Sequence, residues 1–248
     1  MDIKIKQEFT VLWKKYFNNA ELPITFFYTN DERYNVLAGS SSSTGCLIKA
    51  LSSVREGNAL CFSAESPLCR GGKRYLGFAE EIMPEFEYFL SCGIPGKLEG
   101  ERYKKSPELV KEAMKHSPTL KAPARLIVFK RWDKLEELDN PEVVIFFAQP
   151  DVLAGLFTLA NFDEVEPNGV ITPFGSGCST IIQYPYREKD SEHPRGVIGM
   201  FDISARPFVP ANVLTFSAPI KKFLRMIENM KESFLITASW GKVQKRIG

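Results

Sequence analysis

Ile5, Phe9, Leu12, Trp13, Tyr16 and Phe17 recur at helical spacing until Asn18-Asn19 and Pro23 break the pattern. This period predicts an amphipathic helix over residues 2–18, and the β-rich run Ile24–Thr29 after it predicts a strand. Residues 30–43 are polar, with Asp31-Glu32-Arg33 and a run of serines after Gly39, a composition that predicts a mobile loop able to act as a gate. Thr44 is placed to cap a helix carrying Cys46, Leu47, Ala50, Leu51 and Val54, ending near Glu56-Gly57. A short strand at 59–63 follows, then the turn 66–72, a helical or irregular segment into 83–92, and a helix opened by Ser106-Pro107.

The second half alternates more plainly. Runs at 125–130, 143–148, 169–172, 197–201 and 212–216 read as strands separated by turns or helices. The expected fold is α/β (or α+β), a mixed sheet covered by helices, in a single domain over residues 1–248. A weak internal similarity pairs residues 144–150 with 213–219, each a strand, a turn and a proline-started helix. Two intimate, pseudo-similar halves would give this pattern, and so would ordinary strand-to-helix joins.

Composition narrows the classes. With 32 Lys+Arg against 30 Asp+Glu the formal charge is +2, too small to predict the basic face of a nucleic-acid binder. The N-terminal residues mix charge with isolated apolar positions, unlike the apolar core of a secretory signal, and no later stretch is apolar enough for a spanning helix. A soluble cytoplasmic protein without nucleic-acid or membrane partners is expected. Five cysteines, odd in number and widely spaced, argue for reduced thiols over a disulfide framework.

Those thiols carry the candidate chemistry. Cys69-Arg70-Gly71-Gly72-Lys73-Arg74 joins a thiol to two glycines and three cations. Cations favour a thiolate, and glycines let backbone amides approach an anion; a tight turn with a solvated basic flank is the alternative. Gly175-Ser176-Gly177-Cys178 follows a predicted strand; a helix starting there would lower the Cys178 pKa or hold an anion. The segment lacks the lysine and spacing of a P-loop. Cys46 lies at a predicted helix start, where a core thiol is the alternative. Together Cys46, Cys69 and Cys178 suit a soft metal ion or an iron–sulfur cluster, with Cys92 and Cys61 as reserve ligands, although no close C-x₂-C pair is present. Arg206 is a candidate clamp for an anionic ligand beside Arg70, Lys73 and Arg74. His116 and His193 read as surface residues, which argues against a histidine zinc site or a Ser-His-Asp triad. No residue is singled out as catalytic.

The set formed by Cys46, Cys69-x-Gly71-Gly72 with Leu76-Gly77-Phe78, residues 143–150, Cys178 with Tyr184-Pro185, and residues 199–206 resembles the uncharacterised ArCR-type family, domain of unknown function 169. The resemblance spans nearly the whole chain and implies a further cysteine within 197–201, where this sequence has Met200. A thioether binds iron more weakly than a thiolate, so a four-thiolate cluster would need another ligand. Three functions follow as expectations: a metal or iron–sulfur site with a redox partner, a binding protein or enzyme for a small anionic metabolite, or an interaction protein whose cysteines only pack.

Overall fold

The computed structural model describes residues 1–40 and 45–248. Helix α1 (Ile3–Phe17) is capped by Asp2, whose carboxylate accepts from the Lys4 amide at 2.7 Å, and it buries Phe9, Leu12, Trp13, Tyr16 and Phe17. Strand β1 (Ile24–Thr29) follows.

The loop expected over residues 30–43 is instead helical from Glu32 to Ser40. Asp31 caps a 3-10 turn, Glu32–Tyr34, which runs into α2 (Asn35–Ser40). The physical reason is an anchor: the Tyr34 ring is buried, and its hydroxyl donates to Asp139. Residues 41–43 of that expected loop, and the expected Thr44 cap, lie outside the described residues. Helix α3 (Leu47–Arg55) takes Cys46 as its N-cap. It is followed by β2 (Leu60–Phe62), α4 (Arg70–Tyr75), α5 (Phe86–Phe89) and α6 (Pro107–Lys115). Ser106 caps α6 through the Leu109 amide, with Pro107 in its first turn as the sequence predicts.

The remaining elements are β3 (Leu126–Arg131), β4 (Val143–Ala148), α7 (Pro150–Ala160), β5 (Val170–Ile171), α8 (Gly177–Ile181), α9 (Gln183–Glu188), β6 (Gly196–Gly199), β7 (Leu214–Pro219), α10 (Ile220–Asn229) and α11 (Ala238–Gln244). No helix among the described residues is long and apolar enough to cross a membrane.

The strands form one seven-stranded sheet in the order β2-β3-β1-β4-β7-β6-β5, so the fold is α/β with a mixed sheet. Its ladders are antiparallel except for β5 with β6. Alternation along β4 shows why its sequence is apolar throughout. Val144, Phe146 and Ala148 enter a core with α1, α7, α10 and α11 on one face, while Val143, Ile145 and Phe147 enter a second core with α3, α8 and α9 on the other. The two similar strand–proline–helix units prove to be sheet neighbours. Val143 pairs with Pro219 and Ala148 with Leu214, so β4 and β7 run antiparallel and their helices leave from opposite ends. Both helices pack into the first core.

Between β2 and β3 the chain makes a long excursion closed at its neck. The Ala122 amide donates to the Gly77 carbonyl at 2.9 Å, and Gly77 has φ +78°. A Cβ at Gly77 would lie 2.5 Å from the Ala122 nitrogen, so glycine alone lets the two ends meet. Residues 78–121, which contain α5 and α6, form a cap on the side of the second core. The cap is tied internally by the Glu101 amide to the Phe89 carbonyl (2.7 Å) and the Lys104 amide to the Leu90 carbonyl (3.0 Å).

Candidate functional site

Three chain segments that start helices bring three cysteines to one cavity. Gly45 and Leu68 form a parallel bridge, in which the Gly45 amide donates to Pro67 at 3.3 Å and the Cys69 amide donates to Gly45 at 3.0 Å. The next residue on each side of this bridge is a cysteine, and each caps a helix: Cys46 for α3 and Cys69 for α4. The Gly72 amide donates to Cys69 Sγ at 3.2 Å. A Cβ on Gly72 would stand 3.3 Å from that sulfur, a tight contact, and 3.5 Å from Leu47, an ordinary one. The end of the turn expected at 66–72 is therefore a helix start, because Cys69 caps as a serine would and Leu76 at the other end is fully buried.

The third segment starts α8, where Ser176 accepts from the Ser179 amide at 3.0 Å. The Gly177 amide donates to Asp202 Oδ2 at 2.9 Å. A Cβ on Gly177 would meet Ala205 at 2.8 Å and Met200 Sδ at 3.2 Å, so the glycine lets α8 press against residues 200–205. Cys178 stands in the first turn, 9% exposed. The helix start was expected to lower its pKa. Burial instead pushes the thiol well above its ordinary value, and the neighbouring Cys46, Cys69 and Asp202 add to the shift. Cys178 is thus a neutral thiol at pH 7.

All three cysteines line a cavity of about 590 Å³ together with Arg70, Gly71, Gly72, Arg74, Gly175 and Ser176. Much of the remaining wall is apolar: Ile82, Met83, Phe86, Phe89, Leu90, Val110 and Met114 from the cap, with Phe174, Phe201 and Ile203 from the body. The cap is latched across this space. Tyr103 of the cap reaches Asp202 Oδ1 at 3.4 Å and accepts from the Ser204 amide at 3.0 Å, and Lys104 Nζ sits 4.4 Å from the centre of the Phe174 ring.

Other expected residues fall elsewhere. Arg206 does not line the cavity: its guanidinium donates to the carbonyls of Pro210, Ala211 and Val213 and closes its own loop. Lys73 turns to the Ala64 carbonyl at 2.9 Å, and Gly177 lies buried behind the wall. Arg74 lines the cavity but also donates to the Glu80 carbonyl. The Arg70 side chain is exposed and has no hydrogen-bond or ion-pair partner among the described residues. Neither reserve cysteine joins the site. Cys61 is buried with Phe27, Tyr34, Leu126 and Val128, on the sheet face away from the second core, and Cys92 is exposed beside its own neighbour, the Gly93 carbonyl. His116 and His193 are exposed, as the sequence predicts, although His116 borders the cavity.

Met200, where the resemblance implied a further cysteine, is fully buried with φ +69° and is not part of the cavity wall. Among the described residues no three His, Cys, Asp or Glu side chains stand as a set able to hold a metal ion. The three thiols share a wall without forming a ligand set. Sequence reasoning missed Asp202, Tyr75, Tyr103 and the apolar cap. Tyr75 is half-buried beside Ser176, and its desolvation raises its pKa. The signal for Asp202 was its spacing from Ser204, whose amide and hydroxyl it accepts at 3.0 and 2.7 Å.

The fold and site define an α/β protein with a capped, thiol-walled cavity. The chain belongs to the uncharacterised ArCR family, domain of unknown function 169, whose model matches residues 10–229. No curated protein and no solved structure matches the chain.

Proposed function

We propose that this protein binds a small organic anion, its apolar body under the cap and its charged head at the thiol wall beside Arg70. The observation that carries the reading is the division of one cavity. Cys46, Cys69, Cys178, Arg70 and Ser176 stand on the wall built by α3, α4 and α8, while aromatic, Met and Ile side chains line the cap. Its volume of about 590 Å³ falls in the range of small-molecule sites. Three carboxylates also line the cavity, but Asp202 already accepts from the Gly177 and Ser204 amides, and Glu81 and Glu101 belong to the cap. Among the described residues, Arg70 is the cation at the thiol wall whose side chain no other group engages. Thermal unfolding with a graded series of aliphatic and aromatic carboxylates and phosphate monoesters tests this. A binder at one hundred times its Kd stabilises the fold by about 2.7 kcal/mol, and Arg70→Ala weakens that shift. The absence of stabilisation by any member of the series rejects the reading.

The three converging thiols favour a second reading, a soft metal ion or iron–sulfur cluster. It requires the sulfurs to draw together and Cys178 to release its proton against its burial. Anaerobic purification followed by iron and zinc analysis decides it, and a colourless, metal-free protein rejects it.

A further inference from the structure

We infer that Cys46 and Cys69 are a redox-active dithiol, which exchanges with small organic disulfides and closes to an intramolecular disulfide. The inference stands on backbone geometry and holds whether or not an anion occupies the cavity.

In a parallel pair the side chains of facing residues point to the same side, and neighbouring backbones lie about 5 Å apart. Gly45 and Leu68 form an isolated bridge, and Cys46 and Cys69 are the next residues along the two chains, which places them side by side. Cys46, at φ −69° and ψ 128°, and Cys69, at φ −59° and ψ 155°, have not yet turned into their helices, and the Cys69 amide still donates to the Gly45 carbonyl at 3.0 Å. Leu68 points into the second core, while both cysteines face the cavity. That spacing falls within the Cα separation a disulfide spans, about 4.4–6.8 Å. The hydrogen bonds on either side of Gly45, from Gly45 to Pro67 and from Cys69 to Gly45, hold the two backbones in this register.

The two thiols differ in access. Cys69 is exposed and Cys46 is half-buried. The Cys69 thiolate therefore attacks one sulfur of R–S–S–R, forming a Cys69–S–S–R bond and expelling R–S⁻. The Cys46 thiolate then attacks Cys69 Sγ, forming the Cys46–Cys69 bond and expelling the second R–S⁻. The two protons given up by the cysteines go to the two R–S⁻ groups. Two cysteine thiols are oxidised and one organic disulfide is reduced to two thiols. Cys178 remains a bystander, since burial keeps it protonated.

The test incubates the full chain in glutathione buffers ranging from fully reduced to fully oxidised. Free thiols are then trapped with an alkylating agent in acid-quenched, denatured samples, and the linked peptides are mapped by mass spectrometry. The expected result is a reversible Cys46–Cys69 crosslink, with Cys61 and Cys178 alkylated throughout. Cys46→Ser should stop at a glutathione adduct on Cys69, and Cys178→Ser should keep the crosslink. Serine is a favoured helix cap, so Cys46→Ser and Cys69→Ser retain the helix starts; the wild-type map decides the question by itself if either fails to fold. Separate glutathione adducts on the two cysteines, preferential crosslinks through Cys178 or Cys92, or no crosslink in the most oxidising buffer would overturn the inference.

Discussion

Cys61 shows how strongly surroundings set the chemistry of a side chain here. Burial pushes its thiol from about 9 up to about 11. The folded chain keeps that proton between these values while the unfolded chain loses it. The stabilisation is therefore complete below about pH 9 and is lost as pH rises towards 11. Cys178 is shifted in the same direction and adds to the alkaline loss. Urea midpoints measured from pH 8 to 11 should fall for the wild type and fall less steeply for Cys61→Ala; identical slopes would contradict this origin. The sequence around Cys61, Leu60-Cys61-Phe62, already marked a buried strand thiol, because apolar neighbours on both sides are a local signal. Nothing local marked Cys69 as a helix cap. Two adjacent glycines disfavour a helix by about 1 kcal/mol each relative to alanine, and α4 forms despite them with Gly72 and its last-turn neighbour Leu76 buried.

Among the elements, the strands were the most legible. β4 is buried on both faces, so its six residues Val143–Ala148 are apolar or small without interruption. Their antiparallel order was not legible, since ladders such as β1 with β3 join residues about a hundred positions apart. The same distance hid the helical turn at Glu32–Tyr34. Its anchor Asp139 is fully buried, bonds Lys130 Nζ at 2.9 Å, and accepts from the Tyr34 hydroxyl and the Glu136 amide. Removing one partner of such a pair leaves a buried, uncompensated charge. Asp139→Ala should lose about 3–5 kcal/mol in urea unfolding, whereas Tyr34→Phe, which removes one hydroxyl, should cost about 1–3 kcal/mol. Equal, small losses would show that the pair contributes little.

Over the whole molecule, the candidate site joins a legible half to an illegible one. The sequence grouped Cys46, Cys69 and Cys178 by the glycines beside them, and all three line one cavity. The cap did not follow, because its apolar residues Ile82, Met83, Phe86 and Phe89 face a cavity and carry no long helical or strand period. Tyr103 links the halves: it meets Asp202, which in turn holds the Gly177 amide beside Cys178. Tyr103→Phe should therefore speed hydrogen exchange at cap amides such as those of α6 while leaving β4 and β7 protected. Unchanged exchange in the cap would show that the latch contributes nothing to its closure.

The neck at Gly77 and Ala122 has an evolutionary and practical consequence. Two backbone points that touch can be joined directly, so residues 78–121 amount to an exchangeable insert whose ends already meet. The entropy of closing such an insert grows only slowly with its length. Caps of other lengths and linings could be grafted onto the same sheet and thiol wall without moving either. A chimera carrying a short glycine-serine linker in place of residues 78–121 should keep the sheet and open Cys46 and Cys178 to solvent beside the already exposed Cys69. That would turn the lined chamber into an open thiol surface.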